Sequence, residues 1–268
     1  MLLINQKVNL KGSSNMQTEK NLIFPTLITR GNLIADQEEK NNWFSAYLEY
    51  SNSEGQSMDF LGFNLVHRDV RFFKAFSYIA DVLRDHLLSL SVDTNKISIY
   101  MTKAWFNVST FNYQHLHDHA DAHFSMTYYP HIAEGLDQKE LIFNDINESR
   151  NSPYKGFLEN IVTEDTDING YEHIFNPKEG DIFVFPAYLS HEVGCPDDVP
   201  NNELDNLEWS AQKFKTYEQL QHSRFCVGCD AIITRRDTKS YENLLLPVDM
   251  WKQFLRIRND YTTSYIRS

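Results

Sequence analysis

Four of the chain's 10 histidines fall between positions 115 and 123, in the run Gln114-His115-Leu116-His117-Asp118-His119-Ala120-Asp121-Ala122-His123. Read as a strand, this run alternates its side chains between two faces, so His115, His117, His119, Asp121 and His123 project together until the chain turns. Buried imidazoles need hydrogen-bond partners, and neutral imidazole is the commonest protein ligand for divalent transition metals. A solvated histidine-rich loop with incidental metal affinity is the competing description. The flanking segments WFNVSTF and HFSMTYY argue against it, because their composition is that of core strands. The cluster therefore reads as a metal site. Imidazoles with a carboxylate at hand and no nearby thiolate suit iron, zinc, copper or nickel. An H-x-H or H-x-D spacing supplies two adjacent ligands, and a third must come from elsewhere. His191 is the strongest candidate for it. It follows a Gly180-Asp181 turn signal, the apolar run Ile182-Phe183-Val184-Phe185 and the break at Pro186.

Such ligands have to be held by a scaffold, and the rest of the sequence describes one. NLIFPTLITR (21–30) reads as a strand interrupted by Pro25, which suits a sheet edge. Residues 36–50 favour a short helix. Between Val70 and Leu90, the residues Phe72, Phe73, Phe76, Ile79, Ala80, Leu83 and Leu87 recur at helical spacing, predicting a helix that lays one apolar stripe on a sheet. After Thr94 the pattern shifts to ISIYMTKAWFNVS, HFSMTYY, ELIFND, GDIFVFP and RFCVGCDAIIT, all rich in aromatic and β-branched residues and separated by turn signals. Many short strands without alternating helices imply a mainly β fold with flanking helices, an antiparallel sandwich or jelly roll and not a parallel α/β sheet. Residues 246–259 are expected to form a closing helix. Residues 1–20 form a polar lead-in, and two polar insertions, 147–169 and the acidic 197–221, interrupt the strands. The whole of 1–268 is expected to be a single domain.

The formal net charge of -12 disfavours a nucleic-acid partner, since an acidic surface repels phosphate. Three cysteines (Cys195, Cys226, Cys229) are too few for a disulfide framework. Cys226 and Cys229 have no second pair with which to build a zinc site, and their odd spacing in a strand points them to opposite faces as ordinary buried thiols. The N-terminus makes a poor signal peptide, and no run approaches the roughly 18 apolar residues of a membrane span. The expectation is a cytoplasmic protein with no membrane partner.

Taken in order, these residues resemble the 2-oxoglutarate/Fe(II)-dependent oxygenases, in a branch known from bacteria and marine phages. The resemblance rests on Phe24-Pro25-Thr26, Trp105-Phe106-Asn107, His117-Asp118-His119, the strand Ser125–Tyr129, Gly180-Asp181, Phe185-Pro186 with His191, and Arg224. It implies a double-stranded β-helix, the jelly-roll, cupin-like barrel of that superfamily. Fe(II) and 2-oxoglutarate are the implied cofactors. The implied reaction is decarboxylation of 2-oxoglutarate to succinate and CO2 coupled to hydroxylation of a small-molecule or peptide substrate. For a phage-encoded chain the implied compartment is the host cytoplasm.

Counting back from Ser125 places the family's H-x-H on His117 and His119. Counting forward from Asn112 places it on His115 and His117. The more widespread H-x-D falls on His119 and Asp121, with His191 common to the first and last readings. Arg224 fits the arginine that pairs with the 2-oxoglutarate carboxylate, because a guanidinium holds a carboxylate bidentately. The acidic insertion before it leaves Arg235 and Arg236 as alternatives. Tyr129 is a candidate hydroxyl donor to the same carboxylate, and Asn107 and Trp105 are candidates from a neighbouring strand. Two other functions compete: a cupin-like metal enzyme that does not use 2-oxoglutarate, and a non-catalytic binding protein on the same barrel. The sequence identifies neither the substrate nor the oligomeric state.

Overall fold

Two periodicities organise the chain, one of about 3.6 residues in its first third and one of two thereafter. The computed structural model describes residues 26–51, 65–109, 114–136, 140–144, 172–194 and 214–236. The first periodicity forms α1 (Gln37–Ser51) and α2 (Phe73–Ser89). Helix α2 starts later than its apolar pattern does, because Val70–Phe72 form a 3-10 turn whose entry is capped by the Asp69 side chain accepting from the Arg71 N–H. Its stripe is buried as the spacing requires: Phe76, Ile79, Ala80 and Leu83 are fully enclosed and Leu87 nearly so, with Phe73 at the margin. Each fully buried side chain of this size contributes roughly 2 kcal/mol. Trp43 of α1 stacks on Phe72 of the 3-10 turn with ring centroids 3.6 Å apart and meets Phe76 of α2 edge-on, which ties the two helices together.

The second periodicity forms nine strands among the described residues: β1 (Thr29–Asn32), β2 (Ile97–Ser109), β3 (Gln114–His117), β4 (Phe124–Ile132), β5 (Leu141–Asn144), β6 (Glu172–Phe175), β7 (Asp181–Pro186), β8 (His191–Val193) and β9 (Arg224–Arg235). They make a five-stranded sheet, β1-β7-β4-β9-β2, and a four-stranded sheet, β3-β8-β5-β6. All named pairings are antiparallel. From β2 to β5 the chain alternates between the sheets, and from β6 to β9 it alternates back. This winding is a double-stranded β-helix, and β1 is added at one edge. The jelly-roll expectation is met, and the five long strand runs read from the sequence are all present. The short strands β6 and β8 were not anticipated, nor was α3 (Tyr217–Gln221), which lies inside the acidic insertion and opens on a capping box made by Thr216 and Gln219.

Alternation along the strands divides the core in two. Ile182, Val184, Phe225, Val227 and Cys229 turn outward and pack with α1 and α2. Phe183, Phe185, Tyr129 and Cys226 turn inward and meet Leu141 and Phe143 from the opposite sheet and Leu189 from the turn between β7 and β8. Cys226 and Cys229 accordingly sit on opposite faces as buried free thiols. Among the described residues no helix is long and apolar enough to cross a membrane. The Pro25 break, the 147–169 insertion, most of the acidic insertion and the closing helix expected over 246–259 lie outside the described residues.

Candidate metal centre

The inner face of the barrel brings three imidazoles together. His117 ends β3 and His191 begins β8, and the two are register partners across the sheet. Their ring centroids are 4.3 Å apart. His119 lies two residues beyond the end of β3, where its backbone N–H donates to the Ala187 carbonyl at 2.9 Å. Its ring centroid is 5.2 Å from those of both His117 and His191. One nitrogen of each ring lies within 4.8 Å of the others, the single group of this kind among the described residues.

Each ring is oriented by a partner. His191 Nδ1 donates to the Leu189 carbonyl at 3.0 Å, leaving Nε2 to face the group. Burial, reinforced by the neighbouring His117, pushes the His191 pKa down to about 3, against the smaller opposing effect of the Leu189 carbonyl. The ring is therefore neutral at physiological pH, the form in which imidazole offers a lone pair. His119 Nδ1 lies 3.0 Å from Asp230 Oδ2, and Asp230 Oδ1 accepts from Ser125 Oγ at 2.7 Å. His117 Nε2 lies 3.3 Å from the Gln114 amide nitrogen, and Gln114 Oε1 accepts from Asn107 Nδ2 at 2.9 Å. The sequence reading assigns no site role to Asp230, Ser125 or Gln114, although Ser125 anchors the family's histidine spacing. The signal for Asp230 was present in RFCVGCDA, where Arg224, Cys226, Gly228 and Asp230 alternate with Phe225, Val227, Cys229 and Ala231.

The other members of the histidine run do not join the group. Period-two alternation ends with β3 at His117, and a turn at Ala120-Asp121 follows. The Asp121 carboxylate points outward, exposed, in an ion pair with Lys103 that holds it below the usual carboxylate range. His123 is exposed and accepts from the Ile233 N–H at 2.9 Å. The side chain of His115 lies outside the described residues.

A pocket partly open to solvent runs from these imidazoles to Arg224. Arg224, the first residue of β9, is only 3% exposed. Its Nη2 donates to the Tyr129 hydroxyl at 3.3 Å, and its guanidinium carbon sits 4.8 Å from the centre of the Tyr129 ring. Its buried Nε has no hydrogen-bond partner among the described residues. Burial pushes the Tyr129 hydroxyl pKa well up and the Cys226 thiol to about 11, so both stay protonated beside it. Arg235 and Arg236 are exposed at the far end of β9. Asn107 and Trp105 also line the pocket.

Trp105 stacks on His119 at 5.5 Å and 22°, and it can do so because position 228 is glycine. A Cβ on Gly228 would come within 2.5 Å of the indole ring. Gly228→Ala is therefore expected to push Trp105 into His119, lowering stability by about 1–3 kcal/mol, as overpacking does. Metal affinity should fall with it. Thermal melts and a metal titration of the variant check both effects.

Residues 103–198 match the family described as "Putative 2OG-Fe(II) oxygenase". No curated protein matches the chain. Among solved structures, a 2OG-Fe(II) oxygenase-family oxidoreductase from Burkholderia pseudomallei is 12% identical with a TM-score of 0.33, over 62% of this chain and 54% of that one. The chain thus spans about half the length of that protein. A prolyl-4-hydroxylase from Pseudomonas putida is 12% identical with a TM-score of 0.40, over 81% of this chain and 88% of that one. HygX from Streptomyces hygroscopicus, solved with nickel and 2-oxoglutarate bound, is 9% identical with a TM-score of 0.40, over 82% of this chain and 86% of that one.

Proposed function

We infer that the chain, whose residues 103–198 match the 2OG-Fe(II) oxygenase family, is an oxygenase of that kind that holds ferrous iron on His117, His119 and His191 and binds 2-oxoglutarate against Arg224. The observation that carries this reading is the pairing, in one pocket, of three convergent imidazoles with a buried guanidinium. Arg224 has no carboxylate partner among the described residues, and its Nε makes no hydrogen bond. An uncompensated buried charge costs several kcal/mol, so the site calls for an anion of carboxylate type.

The donor set suits iron. His191 is neutral and its Nδ1–H is anchored, so its other nitrogen is available without prior loss of a proton. The set departs from the two-histidine, one-carboxylate triad usual for such iron sites in having imidazole at all three positions. When bound, iron and 2-oxoglutarate supply oxidative decarboxylation to succinate and CO2 coupled to hydroxylation at a C–H bond. The protein's own contribution is orientation and exclusion of water. Arg224 pairs with the distal carboxylate, the Tyr129 hydroxyl stands beside it as a second donor, and the Asn107–Gln114 pair steadies His117. Trp105, Leu141 and Phe185 form the apolar wall. The substrate class we assign is a small molecule or a peptide side chain.

Asp121→Ala separates this ligand set from the one that pairs His119 with Asp121. Exposed ion pairs such as Lys103–Asp121 contribute about 0–1 kcal/mol, so Fe(II) affinity should stay within about threefold of wild type. A fall of about 100-fold would move the site onto Asp121. The function itself is tested by succinate release from 2-oxoglutarate in air with ascorbate. Slow, iron-dependent release is expected even without substrate. If metal-loaded protein neither releases succinate nor gains thermal stability from 2-oxoglutarate, the cupin-like alternative replaces this reading.

A further inference from the structure

We propose that Asp230 supplies the negative charge of this metal centre from outside the ligand set, acting through His119 as a positioning residue. The inference rests on the ligand assignment above and concerns a residue outside it. Three neutral imidazoles bring a divalent cation no compensating charge. The carboxylate in contact with the group is Asp230, completely buried and 3.0 Å from His119 Nδ1.

The local geometry fits that role. Asp230 Oδ2 fixes the proton of His119 on Nδ1, which directs the Nε2 lone pair toward the group, and a carboxylate behind a ligating imidazole makes it a stronger donor. Ser125 Oγ, 2.7 Å from Oδ1, keeps the carboxylate from rotating away. Trp105 stacks on the same imidazole. Asp230 also makes no ion pair with a lysine or arginine among the described residues, so in metal-free protein its charge faces only His119 and a hydroxyl. An ionised carboxylate in that position is costly to bury. The cost is offset when a cation sits on the far side of the His119 ring. Strand β9 thus carries two complementary inward groups: Arg224 toward the anionic cosubstrate and Asp230 toward the metal.

A structural role and a charge-supplying role predict opposite results for Asp230→Asn. This change keeps an acceptor for His119 Nδ1 and a partner for Ser125 but removes the charge. Co(II), followed by its visible absorption, serves as an air-stable probe of the site, alongside Fe(II) titrated under nitrogen. We expect Asp230→Asn to weaken Co(II) and Fe(II) binding about 10–100-fold, the range seen when outer partners of ligating histidines are removed. Metal-free Asp230→Asn should melt no lower than metal-free wild type. Asp230→Ala should weaken binding further, because His119 then loses its partner as well as the charge. Wild-type affinity in Asp230→Asn overturns the inference and leaves the ligand assignment standing. So does a lower metal-free melting temperature with unchanged affinity. Failure of wild type itself to bind either metal overturns the ligand assignment, and the inference with it.

Discussion

Replacing His191 by alanine is expected to weaken iron binding at least about 100-fold. Structural zinc sites bind with about 10–16 kcal/mol over four ligands, or roughly 3 kcal/mol for each, and about 1.4 kcal/mol is a factor of ten. His191 is the ligand whose loss should be least compensated. It faces His117 across the sheet, lies 5.2 Å from His119, and is held by its own backbone turn through Leu189. Among the described residues Asp121 is turned outward to Lys103, and Asp230 stands behind His119, so neither is placed to take over. The substitution should cost the metal-free protein much less. It removes a ring packed against Phe143 and Phe185 but also removes one of three crowded imidazoles. Calorimetric Fe(II) titration together with a melt of the metal-free variant checks both halves. Retained affinity would mean that His191 is an ordinary buried histidine.

The second large effect is expected at Arg224. Arg224→Met should weaken 2-oxoglutarate binding to the metal-loaded protein by about 100-fold or more. Removing one partner of a buried charge pair costs about 2–5 kcal/mol, and roughly 3 kcal/mol corresponds to about 100-fold. Lysine should not rescue it, because a point charge cannot reproduce the planar fork that holds a carboxylate. The same variant should leave the metal-free protein no less stable than wild type. Arg224 is 3% exposed, lacks an anionic partner among the described residues, and has a buried Nε without a hydrogen bond. Methionine fills similar space without a buried charge. A large drop in metal-free melting temperature with unchanged 2-oxoglutarate affinity would assign Arg224 to packing against Tyr129.

Where local pattern dictates structure, the sequence was legible. The α2 stripe and the long strand runs could be read because each buries a face set by its own period. His191 stood out because it follows an apolar strand and a proline break, which place it at the start of the next strand. The short strands β6 and β8 were not legible. Their few residues are strands because β5 lies beside both, an arrangement set by pairing between distant parts of the chain. The histidine run was ambiguous for a related reason. A strand period carried through Asp121 puts the carboxylate beside the imidazoles, whereas the end of β3 at His117 and the turn after it send Asp121 outward. His119 remains with the group because the Ala187 carbonyl fixes its backbone. Asp230 is hard to see in the sequence because RFCVGCDAIIT is mostly apolar, although its polar residues Arg224 and Asp230 share one face of the strand. In such a strand the alternating polar residues mark the face that lines the pocket.

The most direct test of the account is a visible spectrum of the purified protein, without oxygen, on addition of Fe(II) and then 2-oxoglutarate. The account predicts a weak charge-transfer band that neither component gives alone, absent from His191→Ala and from Arg224→Met at the same 2-oxoglutarate concentration. Iron binding with no band at saturating 2-oxoglutarate would contradict it, as would a band that survives both substitutions.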